Sequence, residues 1–409
     1  MGSQGRRIAL ALAFTACAAL TACTARTGLD APSLDTPGEA PDECLELTAD
    51  NPLVVLSLPY TLRIATADIL FLVDVTGSMG GEVAAIREGL RTRLAPALFA
   101  TIPGTRIGVA SFADFPVRPH GSPSDAPFVL LQRPTEDLDV VEAAVAELAA
   151  SGGNDEAESQ VEALFQLASG TGAGAFIAPV VCPPGTVGGG CFRPDATPVV
   201  LVITDAGSHN GPDGVAPYTA PEVRGLASSY EDARDALRRR GARVLGLFSG
   251  TDSGFRGQLE RVARDSGAVG EDGAPLVVDI GRAGERLDEA AAEVVGRLVE
   301  ESPVDVDLLL EDVGGDDGDA LALVRAVELD PPRPPSGAQV TEGGYANVLP
   351  GTRIGFTLRF DLGAVAPRPQ AQRFRLVATL RGDGAVALQR RTIDLVVRGG
   401  GEGCPAAAP

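Results

Sequence analysis

Between residues 68 and 302, short apolar runs alternate with segments in which apolar residues recur every three to four positions. The runs predict strands over 69–74, 106–112, 199–204, 244–249 and 276–280. The spacing of Val83, Ile86, Leu90 and Leu94 predicts a helix. So does that of Leu138, Val141, Val145 and Leu148 behind a Thr135 cap, and that of Leu287, Ala291, Val294 and Leu298. Strands alternating with amphipathic helices imply a doubly wound, mainly parallel α/β sheet covered on both faces. Ligands of such sheets sit at the carboxyl ends of the strands.

After Pro303 the apolar period changes to two. Val304, Val306, Leu308 and Leu310 alternate with polar residues, and so do Ile354, Phe356, Leu358 and Phe360. The same holds for Phe374, Leu376, Ala378 and Leu380, and for Ile393, Leu395 and Val397, with Gly/Asp-rich turns between the runs. This is the pattern of a β-sandwich. Residues 53–64 also read as strands, so the α/β domain (67–302) is expected to interrupt a sandwich formed by 44–66 and 303–404. The acidic run Asp312 to Asp319 and the tripeptide Arg381-Gly382-Asp383 both read as hairpin turns between strands, although the first could hold Ca²⁺ weakly and the second marks cell attachment in other proteins.

Upstream, Arg6 and Arg7 precede an apolar stretch from Ile8 to Leu20, too short to span a bilayer and fit for a secretory leader over 1–22. The stretch ends Leu20-Thr21-Ala22-Cys23, which resembles the lipobox of bacterial lipoproteins, where the cysteine is lipidated and becomes the mature N-terminus. Thr24 is not the Asp that retains lipoproteins at the inner membrane of many Gram-negative cells, so the expected location is the cell envelope, at the outer membrane or cell surface. Residues 23–43, rich in Pro, Gly, Ala, Thr and acids, read as a flexible tether. No other stretch is apolar enough to span a membrane, so the expected membrane contact is the lipid alone.

The 34 basic residues, all Arg, face 55 acidic ones, a formal net charge of −21. Nucleic acid is therefore a poor partner. Beyond Cys23 the expected mature chain has four cysteines, which allow three pairings in an oxidising compartment. Cys182 and Cys191 flank a Gly/Pro-rich loop, and Cys44 with Cys404 would join the ends of the sandwich; these pairings are the expected ones.

The candidate chemistry begins where the strand over 69–74 ends. Asp74-Val75-Thr76-Gly77-Ser78 offers one carboxylate and two hydroxyls within five residues, hard oxygens that suit Mg²⁺. Three other segments carry acids to strand or helix ends: Ala113-Asp114, Gly152-Gly153-Asn154-Asp155-Glu156-Ala157-Glu158, and Asp205-Ala206-Gly207-Ser208-His209. The bland readings are helix caps for Asp74, Thr76 and Ser78, a turn for Asp114, and helix N-terminal charges for Asp155 and Glu158.

Together these segments resemble the metal-ion-dependent adhesion site of von Willebrand factor A domains. In order and spacing they are similar to the inserted domain of integrin β subunits, with a sandwich that looks like the integrin hybrid domain. The resemblance implies that Thr76, Ser78 and Glu158 ligate Mg²⁺ (or Mn²⁺) directly, with Asp74 and Asp205 holding it through water. One carboxylate in direct contact leaves the ion net positive, and its vacant position suits an Asp or Glu of a protein ligand. The resemblance also implies a neighbouring Ca²⁺ site at Asp114, Asn154, Asp155, the Ala157 carbonyl and Glu158, although the family's asparagine falls at Gly153. A third site is weakened because Gly81 stands, beside Glu82, where the family has an acid.

The expected function is protein binding by an envelope lipoprotein, not catalysis. The alternatives are a structural envelope protein whose ions only fix its fold, and a metal-dependent hydrolase using Asp205 and His209. The sequence places no Ser or Cys nucleophile nearby, which makes His209 a solvated loop residue.

Overall fold

Nine residues, Thr66–Asp74, form a central strand of a six-stranded sheet in the computed structural model, which describes residues 41–330, 337–400 and 402–404. The expected leader, Cys23 and nearly all of the tether lie outside these residues. From Ala67 to Asp74 every residue of the strand is buried, as its unbroken apolar run demands of a strand covered on both faces. It pairs in parallel with Gly104–Phe112 on one side and Thr197–Thr204 on the other. Arg243–Phe248 and Val277–Asp279 extend the parallel set. The other edge is antiparallel, formed by Val129–Thr135, a half-buried strand without a strong apolar signal.

Most helices fall into two groups, while Ser253–Asp265 packs on the strand Arg243–Phe248. Gly80–Gly89, Ala95–Thr101, Leu138–Glu147 and Leu287–Glu301 pack with one another, as do Gln160–Ser169 and Tyr230–Arg239. Between Gly80–Gly89 and Ala95–Thr101 the chain stays helical through a wider turn, Leu90–Leu94, which keeps Val83, Ile86, Leu90, Leu94 and Leu98 all buried. The cap of Leu138–Glu147 is Asp137, whose side chain accepts from Asp139 N; Thr135 instead accepts from Asp137 N. Both are short polar side chains before an apolar period, and spacing alone does not choose between them.

The sandwich has a six-stranded and a three-stranded sheet. The larger runs, in spatial order, Glu43–Thr48, Val386–Arg398, Gln372–Gly382, Val304–Asp312, Gly344–Val348 and Gln339–Val340. The smaller pairs Leu53–Thr61 with Arg353–Asp361 and that with Val324–Leu329. Leu58, Tyr60, Phe356, Phe360, Phe374 and Leu376 fill the space between them. The chain leaves this domain after Thr61 and returns at Val304, so the α/β unit is an insertion in it. Cys44 and Cys404, 360 positions apart, are disulfide-bonded; Cys182 and Cys191 close the short loop.

Two arginines, Arg193 half-buried and Arg243 buried, hold the end of the α/β domain opposite its strand tips. Asp68, fully buried, accepts from Arg193 N (2.6 Å) and Nε (2.8 Å), while Arg193 Nη2 reaches the Ala67 and Gly104 carbonyls. Arg243 donates to Pro303 O (3.2 Å), Gly267 O and Asp383. Asp383, at φ 50° in the turn after Gln372–Gly382, also accepts from Asp305 N. Arg381 pairs with Asp307. The Arg-Gly-Asp tripeptide is thus a hairpin element whose Asp joins the two domains. In the acidic run, Asp312, Asp316, Asp317 and Asp319 accept from backbone N–H groups, so these carboxylates brace their own loop. No helix among the described residues is long and apolar enough to cross a membrane.

Replacing Asp68 with Ala leaves the Arg193 guanidinium without its anion and is expected to destabilise the protein by about 3 kcal/mol in denaturant titrations. A change below about 0.5 kcal/mol would show that water replaces the carboxylate. Non-reducing peptide mapping should yield Cys44–Cys404 and Cys182–Cys191 linked peptides; a Cys44–Cys182 peptide contradicts this fold.

Candidate metal centre

Parallel strands in register must end together, and here they end in oxygen. Asp74 lies opposite Phe112 at the tip of the central strand, and Thr204 closes the neighbouring strand. Asp74 Oδ1 accepts from Thr76 N (2.9 Å) and Thr76 Oγ1 (2.7 Å), and its Oδ2 accepts from Thr204 Oγ1 (2.7 Å). Burial, the dominant effect, lifts this carboxyl from its ordinary 3.8 to about 6 against those hydrogen bonds. Ser78 Oγ donates to Asp205 Oδ1 at 3.1 Å. Both hydroxyls turn their protons towards carboxylates and keep lone pairs for a cation.

Glu158 enters on a two-residue strand, Ala157–Glu158, paired in parallel with Gly207–Ser208. Its side chain is buried and its Oε2 meets no hydrogen-bond donor. Burial first, then the charges of Asp74, Asp114, Asp155 and Asp125, raise its carboxyl to about 10. Gly153, at φ 75°, lies over it: a Cβ there would stand 3.2 Å from Glu158 Oε1 and 3.5 Å from Thr76 Cβ. The loop therefore needs a glycine to pass between the two. The structure gathers Asp74, Thr76, Ser78, Glu158 and Asp205 around the strand tips, and the orphaned carboxylate oxygen makes the set fit a hard divalent cation.

Beside this group lies a second cluster. The chain has two histidines, His120 and His209, and they meet with ring centroids 4.6 Å apart. One ligand atom each from Asp114, His120, Asp155 and His209 lies within 4.8 Å of the others. Asp114 follows the strand Gly104–Phe112, His120 lies further along the same loop, Asp155 is on the loop before Ala157–Glu158, and His209 follows Gly207–Ser208. Asp114 Oδ1 accepts from Phe115 N and from the buried Tyr218 hydroxyl (2.7 Å). Burial and the adjacent Asp114 charge push that phenol well above its ordinary value. Burial lowers the His209 imidazolium, but the adjacent Asp114 carboxylate, with Ala216 O and Asp155, outweighs it and raises His209 overall.

His209 is therefore not a solvated loop residue; it is buried, because the loop folds back over the strand tips and is held there by His209 N donating to Glu158 O. Nor does it face Asp205, which bonds Ser78, so the pair considered for hydrolysis is not formed. Of the residues expected at a Ca²⁺ site, Asp114 and Asp155 converge; Asn154 is exposed, Ala157 lies in the short strand, and Glu158 adjoins Thr76. At Gly81 a Cβ would come within 2.5 Å of Ala283 Cβ, so packing requires the glycine that displaces an acid. Glu82 is buried with Oε2 unpartnered. Sequence reasoning missed His120 and Tyr218. The one available signal was that both histidines of the chain stand six or fewer residues after strand-end acids, Asp114 and Asp205.

No protein-family model matches this sequence, and no curated protein matches it. Among solved structures the chain is similar to a von Willebrand factor type A protein from Catenulispora acidiphila, at 15% identity over 87% of this chain and 72% of that one, with a TM-score of 0.38. It is also similar to the pilus adhesin SpaC from Lactobacillus rhamnosus GG in its open conformation, at 11% identity. That match covers 84% of this chain and 45% of SpaC, with a TM-score of 0.34. At such scores these likenesses carry no argument about what the chain does.

In EDTA, Glu158 keeps its proton in the fold up to about pH 10, whereas the unfolded chain releases it near 4.5. The native state then binds more protons than the unfolded state between those values, so metal-free stability falls as pH rises through that window. Glu158→Gln should flatten the fall in thermal melts. A melting temperature that climbs from pH 5 to pH 9 in EDTA would contradict the assignment.

Proposed function

We propose that this protein is a cell-envelope adhesion or protein-binding lipoprotein of the von Willebrand factor A type, which grips an acidic residue of a protein ligand through Mg²⁺ (or Mn²⁺). The ion sits among Thr76, Ser78 and Glu158, with Asp74 and Asp205 behind water. The observation that carries this reading is Glu158 Oε2, a buried carboxylate oxygen without a donor, facing a strand end lined with hydroxyls. A divalent ion supplies the missing positive charge. Because Glu158 is the single carboxylate in direct contact, the bound ion remains net positive and attracts a further carboxylate from outside. The hydroxyls and the two outer carboxylates position it at the open edge of the sheet, where a partner can approach; Ser78 and Asp205 are at least partly exposed there.

The anchor belongs to the same reading: lipidation at Cys23 holds the protein at the envelope surface. Cys23→Ser should release or misprocess the protein, and mass spectrometry that finds an unmodified mature N-terminus at another residue would remove the anchor from the proposal.

Isothermal calorimetry should show one Mg²⁺ bound per chain in the wild type and none in Asp74→Ala or Ser78→Ala. Pull-down from envelope extract should lose its partner when EDTA is added and regain it with Mg²⁺. Equal Mg²⁺ binding in both variants would place the ion elsewhere, and EDTA-insensitive capture would give the binding role to another surface.

A further inference from the structure

The geometry points to a second metal site with different chemistry: we infer that Asp114, His120, Asp155 and His209 form a four-coordinate site for Zn²⁺ or a similar nitrogen-seeking divalent ion. The spacing of the donors is the first argument. His209 Nε2 lies 3.2 Å from Asp114 Oδ2 and 3.2 Å from Asp155 Oδ2, and His120 Nδ1 lies 3.1 Å from Asp155 Oδ2. Ligands 2.0–2.1 Å from a tetrahedral Zn²⁺ stand about 3.3 Å from one another. The contacts are those of a tetrahedron's edges, and small side-chain shifts would close the rest.

The second argument concerns lone pairs. His209 Nδ1 lies 2.7 Å from Ala216 O, and a carbonyl only accepts, so Nδ1 carries the proton. In neutral His209 the lone pair on Nε2 then points at two carboxylates, an arrangement that calls for a positive charge between them. A backbone carbonyl behind the far nitrogen is also the usual brace of a metal-bound histidine. Asp114 is fully buried, and its Oδ2 faces His209 Nε2 at 3.2 Å without forming a hydrogen bond. His120 Nε2 faces Thr219 Oγ1 at 3.3 Å and Thr219 N at 3.2 Å. In the metal-free arrangement Nε2 accepts from Thr219 N; when Nδ1 binds the ion the His120 proton moves to Nε2, which gives up that bond and donates to Thr219 Oγ1 instead.

Charge and ligand type select the ion. Two carboxylates cancel a divalent charge, as a buried site requires. Ca²⁺ takes six to eight oxygens and Mg²⁺ a near-octahedral set, neither of which two imidazoles provide. Asp155 stands at the surface and gives the ion a way in. Bound there, the metal pins together three loops that frame the strand tips. This inference is independent of the Mg²⁺ reading, since it uses none of the same direct ligands.

The test is titration of the metal-stripped full mature chain with Zn²⁺, and with Co²⁺ as a spectroscopic probe. The wild type and Ser78→Ala should each bind one Zn²⁺, gain several degrees in melting temperature, and give the intense visible Co²⁺ bands of a tetrahedral site. His120→Asn and His209→Gln should lose affinity by about 100-fold or more, and millimolar Ca²⁺ should not displace Zn²⁺ from the wild type. Should either histidine variant fail to fold without metal, Asp155→Asn at the surface decides, and it must lose the Co²⁺ bands. Unchanged Zn²⁺ affinity in the variants, displacement by Ca²⁺, or octahedral Co²⁺ bands would overturn the inference.

Discussion

An excess of carboxylate at one edge of a parallel sheet is the constraint on which this structure turns. Asp74, Asp114, Asp125, Asp155, Glu158 and Asp205 crowd the strand tips, and their charges act on one another through a poorly solvated interior. Asp74 is held by two threonines and a backbone N–H, and Asp125 by the N–H groups of Ser122 and Gly153. Neutral donors of this kind orient a carboxylate but cancel none of its charge. Without cations the arrangement survives by keeping protons, which is why Glu158 titrates near 10. A cation would allow the same geometry to exist fully ionised.

The opposite end of the domain uses the reverse solution. Asp68 is as deeply buried as Asp74, yet it receives the Arg193 guanidinium and needs nothing from outside. Arg243 does the same for Asp383 at the boundary with the sandwich. Arginine fixes a carboxylate permanently; hydroxyls fix its position and leave its charge available. The two ends of one strand thus hold a buried carboxylate in opposite ways, one with its charge cancelled and one without.

The α/β alternation, the change of period after Pro303 and the insertion were legible because each is a statement about which residues face the core, and the apolar pattern records that directly. The edge strand Val129–Thr135 was not legible, because an edge covered on one side has little apolar pattern to read. At the site, Asp74, Thr76 and Ser78 are contiguous and so visible as a motif, whereas the His120–His209 pair is joined only by the folding back of two loops. Asp114 and Asp155, singled out together with Asn154, do converge, but with the two histidines between them. Asn154 points to an exposed loop surface, and the histidines occupy the interior position instead.

The tie between the two domains follows from the same economy of charge. The last helix, Leu287–Glu301, passes through Ser302 and Pro303 straight into the sandwich strand Val304–Asp312. Ser302 donates to Gly267 O, and Arg243 holds the Pro303 carbonyl together with Asp383. The same helix packs, at its other end, against Gly80–Gly89, which begins just beyond the Thr76–Ser78 loop. One helix therefore links the segment after Ser78 to the buried arginine at the domain boundary. A shift of this helix along its axis would strain the hydrogen bonds at Ser302 and Pro303. The boundary is thus built to resist such movement, and Arg243 is the residue that opposes it there.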